Sequence, residues 1–309
     1  MVSTSVQKTV VGGQVSSVLL EVFLYGIYAT VYAGTMYIYL SKKSSINYYV
    51  LASITSLFLL NGLKTMGQWA TVIEIVAMNA SQNVLATAYL FVVYGASTGA
   101  NISLVSCYPI TVIADGLMIW RCYKVWGDSL RIIAVLLLLV LAEAALYAAS
   151  VIVIFGPNGP SSASRSMFDT LETAGLLVAV ATTILSALLI FYRIHSISQK
   201  NVLHGGGGRY TRIVYLLTES SALYVIGLLL YAIPVAVPIT DANMLWREGW
   251  ASYSDPIFIF SSGMAPTIMV ACISLTADDD VHEAPSHIST LKFHVQSTHV
   301  YLSRHESDI

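Results

Sequence analysis

The chain has 309 residues, of which 56% are hydrophobic and only 10% charged, with a net charge of -2 and a mean hydropathy of +0.71. A soluble domain carries about a quarter charged residues, so this composition excludes a water-soluble body and points to a surface that faces lipid. The charge balance, with no basic cluster and no zinc-finger spacing, gives no reason to expect a nucleic-acid partner.

Residues 1–14 are polar and carry one basic residue, Lys8. They lack the basic start, short apolar stretch and small-residue cleavage site of a signal peptide, so the first apolar segment reads as a retained transmembrane helix. A spanning helix needs about 20 apolar residues at about 1.5 Å rise each. Segments near 17–40, 47–67, 97–120, 131–155, 168–193, 213–237 and 253–275 qualify. The expected fold is an all-α membrane protein, a bundle of seven transmembrane helices. Residues 82–94 could add a re-entrant or short surface helix.

Loop charges set the expected orientation. With the N-terminus outside, the inner side carries Lys42, Lys43, Arg121, Lys124, Arg131, Arg193, Lys200, Arg209 and Arg212. The outer side carries Arg165 and Arg247, with Lys64 near the outer end of segment two. This asymmetry follows the positive-inside rule, which is counted over short loops. It divides the chain into an extracellular N-terminus (1–16), a seven-helix domain (17–276) and a disordered cytoplasmic tail (277–309) rich in Ser, Thr and His and open to phosphorylation. Asn79-Ala80-Ser81 is then a candidate glycosylation acceptor in the first outer loop, whereas Asn101-Ile102-Ser103 lies too close to the membrane. The Gly205–Gly208 run lacks a following Lys-Ser/Thr and reads as a flexible linker.

Ionisable residues inside spans are costly and therefore candidates for function. Glu21, Glu172 and Asp255 lie near the outer ends of segments one, five and seven. With Lys64, Arg165 and Arg247 they could line an outward-facing pocket, or they could simply be solvated at headgroup level. Glu143 sits midway along segment four with no evident basic partner, which suggests a protonated or hydrogen-bonded carboxyl. Asp115 and Glu219 each fall about 10 Å inside the inner boundary, at about 1.5 Å per residue from Arg121 and Arg212. Asp115, Arg121 and Glu219 are thus expected to share one inner polar layer, either a two-state lock or a static packing contact. Pro109, Pro234, Pro256 and Pro266 should bend their helices, while Gly26, Ala29, Ala33, Gly95 and Gly99 should allow close helix contact.

Several functions lose support. Segment seven has no lysine for a retinal Schiff base, and all seven histidines lie in an inner loop or the tail. Intramembrane zinc, heme or serine-protease chemistry therefore has no ligand set or base, and the expectation is a protein that is not an enzyme and needs no cofactor or metal. Cys107, Cys122 and Cys272 fall within or at the ends of apolar segments, which argues against a disulfide-stapled ectodomain.

Three stretches carry a resemblance. Ala114-Asp115-Gly116-Leu117-Met118-Ile119-Trp120-Arg121-Cys122-Tyr123-Lys124-Val125-Trp126 ends segment three, Thr218-Glu219-Ser220-Ser221-Ala222-Leu223-Tyr224 opens segment six, and Gly263-Met264-Ala265-Pro266-Thr267-Ile268-Met269-Val270 lies in segment seven. Together they resemble a group of uncharacterised seven-helix membrane proteins of mushroom-forming (basidiomycete) fungi. The resemblance covers most of the chain and implies a receptor-like layout without naming a ligand. Members of that group carry an arginine soon after the Pro-Thr of helix seven, whereas here Ala271 and Cys272 occupy that stretch. The expected function is a receptor-like protein of the plasma membrane with a cytoplasmic signalling partner, the alternatives being a small-solute carrier or a lipid-interacting scaffold in the bilayer.

Overall fold

A computed structural model describes residues 4–41, 48–77, 97–127, 129–156, 162–202, 208–237 and 243–282. Among these residues the chain forms seven helices: α1 (Thr4–Ser41), α2 (Tyr48–Ala77), α3 (Thr98–Val125), α4 (Leu130–Phe155), α5 (Ser162–Val202), α6 (Gly208–Ala236) and α7 (Met244–His282). Each is long and apolar enough to cross a membrane. Asn79, the 82–94 segment and the tail beyond His282 lie outside the described residues.

The helices outrun the apolar segments that seed them. α1 starts at Thr4 rather than near residue 17, and α7 runs on through Asp278-Asp279-Asp280 to His282. At the start of α1 packing supplies the reason. Val10 is buried, Gly13 lies against Ser252 of α7, and Gln14 donates to Gln68 Oε1 of α2 at 2.8 Å. Hydropathy finds only the lipid-spanning stretch, whereas a helix continues wherever neighbours satisfy its flanks.

Cross-helix bonds fix the arrangement. Tyr32 of α1 donates to Thr55 of α2 at 3.1 Å, so these two helices run antiparallel between the Gln14–Gln68 and Tyr32–Thr55 levels. α7 runs alongside α1 in the same direction, with Gly13 at Ser252 and Tyr28 at Gly263. The central core joins Leu57 of α2, Ile110 and Leu117 of α3, Leu176 of α5, Leu228 of α6 and Phe258 of α7. Leu19, Phe23, Leu59, Leu138, Ile152 and Leu188 point outwards, as a lipid-facing surface requires. Buried hydroxyls of Thr65, Thr71, Ser106, Thr111 and Thr183 bond back to carbonyls one turn earlier in their own helices, so few are left unsatisfied.

α2 and α3 cross where two glycines meet. A Cβ on Gly67 would lie 2.7 Å from the Gly99 carbonyl, and one on Gly99 would strike Gly67 and Thr71. Thr71 and the N-cap Ser97 share a hydrogen bond at 3.0 Å beside this crossing. Of the small residues expected to mediate contact, Gly99 does so, whereas Gly26 and Ala33 are exposed on α1 and Gly95 lies outside the described residues.

Pro234 shows how a lost helical hydrogen bond is replaced. It removes the N–H that would have reached the Leu230 carbonyl. Trp250 of α7 supplies the missing donor, its indole N–H reaching Leu230 O at 3.0 Å. Arg247 Nε then donates to the Pro234 carbonyl at 2.7 Å in the last turn of α6, where carbonyls lack helical partners and the dipole favours a cation.

Candidate functional site

The half of the bundle nearer the start of α1 contains a buried ion cluster. Lys64 of α2 is 2% exposed and its ammonium lies 2.8 Å from Asp255 Oδ2 of α7 and 3.3 Å from Glu21 Oε1 of α1. Thr65 Oγ1 also donates to Glu21 Oε1, at 3.2 Å, while Glu21 Oε2 has no hydrogen-bond partner. One cation faces two carboxyl groups here, and Glu21 and Lys64 are buried rather than solvated at headgroup level. A void of about 10 Å³ borders Glu21, Tyr25, Tyr28, Asn61 and Thr65, room for about one water-sized species.

Glu172 does not join this cluster by direct contact. It is half-buried on α5 and interacts electrostatically with Arg165 and Arg247 as well as with Asp255. Cys107 of α3 and Tyr231 of α6 lie within the electrostatic reach of both Glu172 and Asp255. The expected outer pocket is therefore a tight polar layer rather than an open cup. The larger hollow, about 440 Å³, is a groove on α6 and α7 walled by Leu230, Trp246, Trp250, Tyr253 and Ile257.

The inner polar layer is built differently from the sequence expectation. Asp115, Arg121 and Glu219 are not brought together. Glu219 is exposed, whereas Tyr224, about 140° further round α6 at about 100° per residue, points inwards. Depth along a helix can be counted from its end, but the direction a side chain faces is set by packing.

Asp115 is wholly buried and its Oδ1 accepts from Thr183 of α5 at 2.7 Å and Tyr224 of α6 at 3.0 Å. Arg121, 4% exposed, forms no ion pair among the described residues. Its Nη2 donates to the Ala265 carbonyl of α7 at 3.3 Å, and its Nη1 lies 3.5 Å from Ser221 Oγ of α6 and 3.6 Å from Met118 Sδ. These contacts join the three stretches that carry the fungal resemblance. The α3 stretch meets the α6 stretch through Asp115–Tyr224 and Arg121–Ser221, and the α7 stretch through Arg121–Ala265. Thr267 in the α7 stretch also approaches the Tyr28 hydroxyl of α1, at 3.4 Å. Trp126 closes the α3 stretch, donating its indole N–H to Leu189 O of α5 at 3.3 Å beneath the Arg193 guanidinium.

Glu143 of α4, also wholly buried, faces Asp115 across the α3–α4 contact. The midway position of Glu143 was readable from the sequence, but its pairing with a residue on α3 was not. No run of spacing links positions on separate helices, and the counted depths, about 10 Å from the inner boundary for Asp115 and midway for Glu143, did not pair them. Among the described residues no group of three or more His, Cys, Asp and Glu side chains is placed to hold a metal ion. Comparison with protein-family models, with curated proteins and with solved structures finds no match.

Proposed function

We propose that this chain is a receptor-like seven-helix membrane protein that senses on its N-terminal side and acts through its opposite face. The observation that carries the reading is Arg121. A guanidinium buried at the far end of α3 holds α6 and α7 through long hydrogen bonds to uncharged acceptors, with no carboxylate partner among the described residues. Such contacts are weaker than a charge-assisted pair, so a modest change in α6 or α7 can break them. α7 also carries Asp255 of the ion cluster, so one helix links the two polar layers. Placement of the N-terminus outside, residence in the plasma membrane, a glycan on Asn79 and membership of the fungal group belong to the same proposal, supported by loop charge and the three sequence stretches.

The test is proximity labelling from a tail-fused enzyme in living cells, with Arg121→Lys and Arg121→Met beside the parent chain. Recovery of heterotrimeric G-protein subunits, or of another cytoplasmic signalling protein whose yield changes in the Arg121 variants, supports the receptor. A lysine cannot span α6 and α7 as the planar fork does, so both variants should act alike. If no such partner is recovered and proteoliposomes show solute flux that depends on Glu143, the protein is a carrier.

A further inference from the structure

Three carboxyl oxygens in the middle of the bundle lack any donor. Asp115 Oδ2 and both oxygens of Glu143 are buried without an ordinary hydrogen-bond partner. The two carboxyl groups nevertheless lie within hydrogen-bonding reach of each other. Two carboxylates have no hydrogen to share, so this contact is a hydrogen bond only when one of them is the acid. Among the described residues no cation acts on either group. Tyr224 of α6 and Tyr147, one turn along α4, are the ionisable side chains that face the pair, Cys107 and Glu172 act on Tyr147 from further off, and Thr183 is the polar contact from α5. Arg121 of α3 turns away towards α6 and α7.

Adjacent like charges in a medium of low dielectric repel strongly, and each also loses its hydration. A single proton relieves both costs. We propose that Asp115 and Glu143 form a proton-binding site, a carboxylic acid–carboxylate pair holding one proton between α3 and α4. Thr183 and Tyr224 already stabilise negative charge on Asp115, so the proton rests on Glu143 and is donated to Asp115 Oδ2. Loss of that proton sets two negative charges against each other and drives α3 from α4. The site is thereby coupled to the four helices that contribute Asp115, Glu143, Thr183 and Tyr224. It stands whether the bundle signals or carries.

The test uses the full chain purified in lipid nanodiscs. The infrared spectrum at neutral pH should contain a protonated-carboxyl C=O band that shifts in D2O and is missing from Glu143→Gln. Glutamine can donate an amide hydrogen to Asp115 in place of the acid, so this variant should keep the thermal midpoint. The folded chain holds a proton that the unfolded chain releases, so the parent's midpoint should fall as pH rises; this dependence should flatten in Glu143→Gln, whereas in Asp115→Asn, where Glu143 stays buried but loses the neighbouring charge, it should set in at lower pH. If Glu143→Gln does not fold, the parent spectrum and the Asp115→Asn pH profile decide. Absence of the band in the parent overturns the proposal. So does a sodium-dependent rise in midpoint, at constant pH, that is lost in either variant, since the pair would then hold a metal cation.

Discussion

Lys64 is the residue on which the most charge depends. Its ammonium is the cation shared by Glu21 and Asp255, both of which would otherwise carry negative charge beside one another. Removing one partner of a buried pair costs about 3–5 kcal/mol, because the remaining charge is stranded, whereas replacing all partners by neutral groups is often tolerated. Lys64→Met should therefore lower the thermal midpoint in detergent sharply. The triple variant Lys64→Met, Glu21→Gln, Asp255→Asn should recover more than half of that loss. A single variant that melts with the parent chain would mean that the triad contributes nothing to the fold. This cluster was half legible in the sequence. Each charge near an outer helix end stood out against apolar surroundings, and Lys64 was noticed beside them. That Glu21, Lys64 and Asp255 would close on one another while Glu172 made no direct contact with them depends on which helices neighbour which, and hydropathy does not record that.

Between helices, stability rests on a few close approaches and on repaired breaks. At the α2–α3 crossing Gly67 and Gly99 bring backbone onto backbone, so a methyl group at either position must push the helices apart. Gly67→Ala or Gly99→Ala should destabilise by about 1–3 kcal/mol, the usual cost of overpacking, and should also weaken the Thr71–Ser97 bond beside the crossing. Amide exchange measured at the start of α3 would show this as faster exchange, and unchanged exchange would place the crossing's stability elsewhere. At Pro234 in α6, Trp250→Phe removes the donor that satisfies the Leu230 carbonyl and should cost about 1 kcal/mol. In a Pro234→Ala background the helix regains its own donor, so the same tryptophan change should cost distinctly less. Equal costs in the two backgrounds, measured as a double-mutant cycle, would show that the indole contributes packing alone. The proline, and so a missing backbone donor, was readable in the sequence, but the tryptophan that replaces that donor lies on the next helix and gave no signal.

For the whole molecule, the number of spans followed from composition, because lipid demands long apolar helices whose backbone groups are satisfied internally, whereas their full lengths did not. Orientation rests on charge, and the structure refines that argument. Arg121 and Lys64, counted as flanking charges on opposite sides, are both buried in the bundle. Leaving them out takes one basic residue from each side and keeps the asymmetry. Lys42, Lys43, Lys124, Arg131, Arg193, Lys200, Arg209 and Arg212 remain in the count for the expected inner side, against Arg165 and Arg247 for the outer. The bias is therefore carried by charges in short connections and helix ends, where the positive-inside rule applies. The expected outcome is a glycan on Asn79, seen as a glycosidase-sensitive shift that vanishes in Asn79→Gln. An Asn-x-Thr acceptor fused after Ile309 should stay unmodified. Should Asn79 go unused, protease protection of a tail epitope in sealed microsomes still reports the side: a tail facing the cytosol is digested, and one in the lumen survives. A glycan on the fused acceptor, or a protected tail, would invert the molecule. Arg121 and the α6–α7 contacts would then face outside, and the ion cluster of Glu21, Lys64 and Asp255 would lie on the cytoplasmic side.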